Sequence, residues 1–420
     1  MLIETGARIT GHVAVPGDKS ISHRSLLIGA LSAGATRVRG FGRGGDTEST
    51  IAAVRALGGF VDDGDDRELV VHGADFRDAE IDCGNAGTLI RLIAGLLAGR
   101  NGTYVLTGDE SLSARPMERI AEPLRRMGAA IETTDGHAPI RVGAAELHAM
   151  EYELPVASAQ VKSALLLAGL GAQSATTVVE PTPTRDHTEL MLEAGGIEVT
   201  RRPTSVTVHP GTPHLPEVVV PGDISSAAPL LAAAALLPGS DLTIHDLGLN
   251  PRRTGLLDVL ERMGARVAVF DRRREGREQA GSVQIEHDEL VATEVHAEEV
   301  PRLVDELPLV ALLAVYARGE TRIRGAQELR LKETDRIEAV ADALRACGAR
   351  IKTHEEGWTI TGVPQRLRGG RVDSRGDHRI AMLGAITGLA SREGVDIQDA
   401  EVAAISFPGF YELLDTVTQR

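Results

Sequence analysis

Two kinds of segment alternate along the hydrophobic and polar pattern of this 420-residue chain. The first is an amphipathic helix ending in Gly-Gly or Gly-Ala, followed by a β-branched strand and a turn. It occurs as VRALGGFV from Val54, LRRMGAAI from Leu124, MLEAGGIEV from Met191, LERMGARV from Leu260 and LRACGARI from Leu344. A glycine just past each helix suits the left-handed C′ position, where a Cβ is unfavourable. The second is a mostly apolar helix that opens on small or polar residues and runs into a strand. Its six copies begin near Ser20, Gly84, Ser158, Asp223, Val304 and Gly376.

Six apolar helices against five amphipathic ones leave one unit incomplete. The chain ends supply the missing parts: FPGFYELLDTV near the C-terminus reads as a helix, and TGARI at Thr5–Ile9 repeats CGARI at Cys347–Ile351. The stretch VPGDKSISHRS from Val15 is echoed by VPGDISSAAP from Val220, each before an apolar helix. Three units then lie between the two Val-Pro-Gly-Asp segments and three outside. This predicts an α/β fold of two similar lobes with the chain crossing twice between them. One lobe spans residues 17–221. The other combines 1–16 with 222–420 and is closed by the N-terminal hairpin.

Composition narrows the class. A chain of this length is long for one core, which agrees with two domains. Aromatics make up only 3% of residues, so the core must be built from Ala, Leu, Val and Ile. A net charge of −15 argues against general nucleic-acid or anionic-membrane binding, but not against small anions in a locally positive cleft. Cys83 and Cys347 give neither a disulfide framework nor a metal spacing, so a reducing cytoplasm is expected. No basic region followed by an apolar core opens the chain, so no signal peptide is expected. The apolar run from Ala227 is about half the ~20 residues a membrane span needs.

The candidate chemistry gathers at helix starts, whose free N–H groups and positive dipole end favour anions. The first crossing adds Lys19, Ser20, Ser22, His23, Arg24 and Ser25. Cations in a first helical turn oppose the dipole, so an anion is expected to neutralise them. GNAGTLIR from Gly84 is a Gly-rich approach to a helix, and SLSARPM places Arg115 before a proline. SAQVKS from Ser158 offers a hydroxyl and an amide. TRDHTE puts Arg185 ahead of a helix, with His187 expected as a surface or capping residue. LVDELP holds Asp305 and Glu306, where capping is the default. ELRLKETDRIEA carries Lys332 and Arg336 at helical i,i+4 spacing, a repelling pair that again calls for an anion. GDHRIAM repeats the pattern with Asp377, His378 and Arg379. GFGRGG at Gly40–Gly45 fits a dinucleotide fingerprint. Its preceding strand, however, carries charge at alternate positions, unlike a buried parallel strand. No phosphate-binding P-loop and no His-rich metal spacing occurs.

Taken in order, PGDKSISHRSLL, GNAGTLIR, LTGDESLSARPM, SAQVKSALLLAGL, RDHTE, ELRLKETDRI and GDHRIAM resemble the successive motifs of the EPSP synthases, within the enolpyruvyl transferase family. The matches are collinear over nearly the whole chain. The resemblance implies two lobes of three βαβαββ units each, an inside-out α/β barrel arrangement. It implies transfer of the enolpyruvyl group of phosphoenolpyruvate to the 5-hydroxyl of shikimate 3-phosphate, with release of phosphate, on the way to chorismate and the aromatic amino acids. It further implies a cytoplasmic monomer without metal or organic cofactor. By motif, Lys19, Ser20, Arg24, Ser158, Ala159, Gln160, Arg185, Asp305 and Lys332 would contact shikimate 3-phosphate. Lys19, Gly87, Arg115, Gln160, Arg336 and Arg379 would hold phosphoenolpyruvate. Asp305 would be the base for the attacking hydroxyl, and Glu333, with Lys19 as alternative, would move the proton at the methylene carbon.

Three positions depart from the family pattern: Ala159 stands where some members have a second Ser, Leu92 where some have Pro, and Ile405 where many have Lys. The alternative within the fold is the enolpyruvyl transferase acting on UDP-N-acetylglucosamine. That enzyme generally carries a Cys in the loop matching GDESLSARP, and none lies there.

Overall fold

The computed structural model describes every residue except 65, 66, 364 and 420, so the last residue of the second expected lobe lies outside it. By internal contacts the chain divides into two compact units. The first comprises Met1–Pro16, Pro221–Arg274 and Gln279–Arg420; the second comprises Gly17–Val220 with Glu275–Glu278. Each has its own apolar core.

The six apolar helices form as the pattern predicts: Lys19–Leu31, Gly87–Leu97 and Ala159–Gly169 in the second unit, and Ile224–Leu236, Leu307–Tyr316 and His378–Ala390 in the first. They are central to the cores. Every residue of Ile224–Leu236 is buried, and each of its leucines contributes about 1.5–3 kcal/mol by leaving water. The glycines after the five amphipathic helices, Gly58, Gly128, Gly196, Gly264 and Gly348, all have φ between 79° and 102°. They take the left-handed turn that the sequence pattern called for.

Among the described residues there are six sheets, three per unit. Four share one plan, a parallel pair followed by an antiparallel hairpin. An example is the order Ala79–Asp82, Tyr104–Thr107, His137–Gly143, Ala130–Thr134. The sheet holding Arg8–Ala14 adds a fifth strand to this plan, Thr418–Gln419. The last sheet is completed from the chain start: Leu2–Ile3 runs antiparallel to Val395–Gln398, which is itself parallel to Gly370–Asp373. The incomplete sixth unit is therefore closed by the N-terminal segment.

Two parallel pairs explain the crossings. Arg8–Ala14, which leads into the Lys19–Leu31 helix, lies beside Asp241–Gly248 in the first unit. Glu217–Val219, which leads into the Ile224–Leu236 helix, lies beside Thr36–Arg39 in the second. Each crossing helix is thus separated from its own leading strand. GFGRGG serves the packing here. A Cβ on Gly17 would sit 1.9 Å from the Gly40 carbonyl oxygen, and one on Gly42 would sit 2.1 Å from that of Gly17. Gly40 approaches the Val220 carbonyl as closely at φ 75°. Backbone-to-backbone contact therefore requires glycine at Gly17, Gly40 and Gly42, a packing reason for the first two motif glycines.

Candidate functional site

In the second unit the candidate residues converge on the starts of three helices. Asp18 caps Lys19–Leu31, its Oδ1 accepting from the Ile21 N–H at 2.9 Å. Lys19 follows and pairs with Asp46 at 2.8 Å, both side chains partly buried. Arg24, one turn on, is buried and spread over three acceptors: Nε donates to Thr188 Oγ1 at 2.7 Å, and the two terminal nitrogens donate to Ser163 Oγ at 2.8 Å and the Ser20 carbonyl at 3.0 Å. Burial lowers the Arg24 pKa to about 10, partly offset by Glu189 and Asp18, so the guanidinium keeps its charge at neutral pH. His23 is buried beside Thr50. Desolvation, reinforced by Lys19 and Arg24 against Asp46, lowers it to about 3, so it is a neutral packing residue.

Ser158 caps the Ala159–Gly169 helix, accepting from the Val161 N–H at 3.4 Å. Gln160, two residues on, accepts from Arg91 at 2.8 Å and donates to Thr88 at 3.0 Å. Arg115 donates to Asn85 Oδ1 at 2.6 Å and to Ser111 at 3.2 Å. Gly87 opens a helix whose N-cap position, Ala86, has no capping side chain. A Cβ there would meet terminal nitrogens of both Arg91 and Arg115 at 3.0 Å, so glycine keeps both guanidiniums against that helix start. Arg91 completes this cluster and was missed in the sequence. Sitting inside the apolar stretch TLIRLI, it reads there as an isolated polar position.

TRDHTE is largely a buried framework. His187 is buried, with Nδ1 2.7 Å from Glu278, and is neither a surface nor a capping residue as expected. Thr188 serves Arg24, and Glu189 pairs with the fully buried Lys162 at 2.7 Å, which also holds Glu180 at 2.9 Å. Arg185 remains partly exposed. Thus the Lys of SAQVK and the Glu of RDHTE tie two helices together.

In the first unit Asp305 lies among cations. Its Oδ1 is 3.4 Å from Lys332 Nζ and 3.7 Å from an Arg336 terminal nitrogen, and its Oδ2 is 3.9 Å from Arg253. Lys332 and Arg336 do not form a helical i,i+4 pair. The helix begins at Arg336 with Asp335 as its cap, and Lys332 is extended ahead of it. The anion their repulsion demanded is present in the protein as Asp305. Arg336 is buried and also binds Asp377 through two bonds of 2.8 and 3.1 Å and Glu333 at 2.6 Å. Burial opposes its charge, but Asp377, Glu333 and Asp305 outweigh that and raise its pKa above the ordinary guanidinium range. Burial would likewise raise the Asp377 carboxyl, yet Arg336 holds it below its usual value. Asp377 caps the His378–Ala390 helix through the Arg379 N–H, and the Arg379 side chain donates to the Ser225 carbonyl at 3.1 Å. Glu306 takes the N-cap position of the Leu307–Tyr316 helix, but its side chain makes no capping bond. Leu92 lies in the core and Ile405 in a half-buried turn. Among the described residues no cluster of three or more His, Cys, Asp or Glu is placed to hold a metal ion.

A family model described as EPSP synthase (3-phosphoshikimate 1-carboxyvinyltransferase) matches residues 3–414. The 3-phosphoshikimate 1-carboxyvinyltransferase of Geobacter sp. (strain M21) is 46% identical, over 100% of this chain and 99% of that one. The one from Anaeromyxobacter sp. (strain K) is 50% identical, over 98% and 94%. Among solved structures, EPSP synthase from Acinetobacter baumannii superposes with a TM-score of 0.87 at 39% identity, covering 99% of this chain and 97% of that one.

Proposed function

Since the chain belongs to the EPSP synthase (3-phosphoshikimate 1-carboxyvinyltransferase) family, we propose how its residues divide the work of that reaction. The enzyme transfers the enolpyruvyl group of phosphoenolpyruvate to the 5-hydroxyl of shikimate 3-phosphate, giving 5-enolpyruvylshikimate 3-phosphate and phosphate. Each substrate phosphate brings about −1.5 to −2 charges, and each substrate adds a carboxylate. Fixed cations are needed to hold such a pair together against their repulsion.

Shikimate 3-phosphate is held by Lys19, Ser20, Arg24, Ser158, the backbone at Ala159, Gln160, Arg185 and Lys332. Phosphoenolpyruvate is held by Lys19, Gly87, Arg115, Gln160, Arg336 and Arg379. Asp305 accepts the proton of the 5-hydroxyl as its oxygen adds to the enol carbon. Glu333, with Lys19 as the alternative donor, delivers a proton to the methylene carbon, giving a tetrahedral adduct. Loss of a proton from that carbon then expels phosphate. The observation that supports this reading best is Asp305 itself, a carboxylate flanked by cations at 3.4–3.9 Å and tied to none of them by a short bond. Arg336 is fixed by Asp377 and Glu333, which suits a preorganised anion clamp.

We also place the enzyme in the cytoplasm as a monomer. Two buried cysteines without a disulfide fit a reducing compartment, and among the described residues no helix is long and apolar enough to cross a membrane. Phosphate release that requires both phosphoenolpyruvate and shikimate 3-phosphate is the decisive assay; release with either alone, or none, defeats the reading. Asp305→Asn is expected to leave substrate binding measurable while turnover collapses, and retained turnover removes Asp305 from the base role.

A further inference from the structure

Arg253 belongs to no motif used so far, yet it is buried at 3% exposure within reach of Asp305. It lies in the turn Asn250–Thr254, where its N–H donates to the Asn250 carbonyl at 2.8 Å and the Arg252 N–H donates to Asn250 Oδ1 at 2.9 Å. One terminal nitrogen donates to Asp223 Oδ1 at 3.1 Å and Ser225 Oγ at 2.8 Å. The other faces Asp305 Oδ2 at 3.9 Å.

This arrangement mirrors that of Arg336. Each guanidinium is anchored to the aspartate that caps an apolar helix, Asp223 for Arg253 and Asp377 for Arg336. Each turns its remaining terminal nitrogen toward Asp305. They address different oxygens: Lys332 and Arg336 are on the Oδ1 side, and of these three cations only Arg253 is on the Oδ2 side. Removing it takes away the Oδ2-side member of this trio and shifts the balance of attraction toward Lys332 and Arg336. We propose that Arg253 is a positioning residue for Asp305, holding the carboxylate's orientation during proton transfer. At 3.9 Å Arg253 lies beyond hydrogen-bond length, so its pull on Oδ2 is electrostatic.

The proposal rests on Asp305 being the base. The other charged groups around this carboxylate are Glu306 beside it, Glu333 and Asp377 on Arg336, Asp223 on Arg253, and Arg379 near Ser225. Removing one cation from the set raises the proton affinity of a carboxylate next to it. In the phosphate-release assay, Arg253→Gln is expected to lower kcat about 10- to 100-fold with both KM values within about threefold. It should also move the acid limb of the kcat–pH profile up by about one unit. Arg253→Lys, which restores charge without the fork, should return the limb and recover only part of kcat. Wild-type kcat and limb in Arg253→Gln overturn the proposal. So does a loss of kcat with the limb unmoved and no rescue by lysine, which is the mark of packing alone. If Arg253→Gln does not fold, Arg253→Lys decides: a fall in kcat of about tenfold at unchanged KM supports the role, and unchanged kcat overturns it. Asp305→Asn in the same series separates the two readings. Retained turnover there defeats the base assignment, whereas a dead Asp305→Asn beside a wild-type Arg253→Gln defeats the positioning role alone.

Discussion

The two Val-Pro-Gly-Asp segments have the same backbone role and opposite chemistry. Asp18 and Asp223 each cap an apolar helix with closely matched geometry, φ −58°, ψ 119° and φ −75°, ψ 117°. After Asp18 the helix itself brings the cations Lys19 and Arg24. After Asp223 it brings none, and the fold delivers Arg253 to Asp223 and Ser225, and Arg379 to the Ser225 carbonyl. A segment that looks purely architectural in the sequence is therefore the anchor of Arg253, which faces Asp305, and of Arg379. Charge local in sequence is legible; charge imported from 28 and 154 positions away is not.

The comparison can be broken most directly at the caps. Asp223→Ala removes a cap and leaves the buried Arg253 without that carboxylate, so it should cost about 3–5 kcal/mol in urea unfolding. Asp18→Ala should cost about 1–2 kcal/mol as the loss of a cap. Equal costs would mean that the second segment anchors nothing. Next in size is Lys19→Met. Its pair with Asp46 is a quarter exposed on the lysine side, so stability should change by less than about 1 kcal/mol. The value of kcat/KM for both substrates should fall about 100-fold or more; an unchanged kcat/KM would return Lys19 to the architecture. The last test concerns His23. Its folded pKa, about 3, lies below the ordinary 6.5, so the folded state binds fewer protons. The neutral ring's contribution is complete above about pH 6.5 and is lost as pH falls toward 3, at up to about 1.4 kcal/mol per unit. By pH 5 that is about 2 kcal/mol. Urea midpoints from pH 7 to 5 should therefore fall more steeply for wild type than for His23→Asn, and parallel slopes would contradict the buried neutral ring.

Much of the fold was legible because it repeats. Apolar runs at helical spacing, each followed by a strand, marked all six buried helices, and glycine marked five left-handed turns. The close approach of Gly17, Gly40 and Gly42 was not legible, because glycine in sequence does not say which backbone it must admit. Around the candidate site, helix starts and their cations were visible as charge where the dipole disfavours it. Partner identity was hidden. The repulsion between Lys332 and Arg336 was read as a vacancy for a ligand, but Asp305, 27 positions before Lys332, already lies against both. His187 looked like a surface or capping residue because Glu278 reaches it only through the fold, as Lys162 reaches Glu189. Arg253 and Arg91 escaped too: Arg253 sits in a turn, and Arg91, inside an apolar helix, meets Gln160 only through the fold.

The pairing of Arg8–Ala14 also fixes an order of events during synthesis. This strand leaves the ribosome well before its partners: Ile9 waits for Ser240, 231 residues downstream, and Arg8 for Gln419, 411 residues downstream. The second unit, apart from Glu275–Glu278, is complete by Val220 and can fold while the opening strand is still an unmatched edge. A segment made early is thus among the last to find its place, and the nascent protein carries an exposed β-edge until residues 241–248 and 418–419 are made.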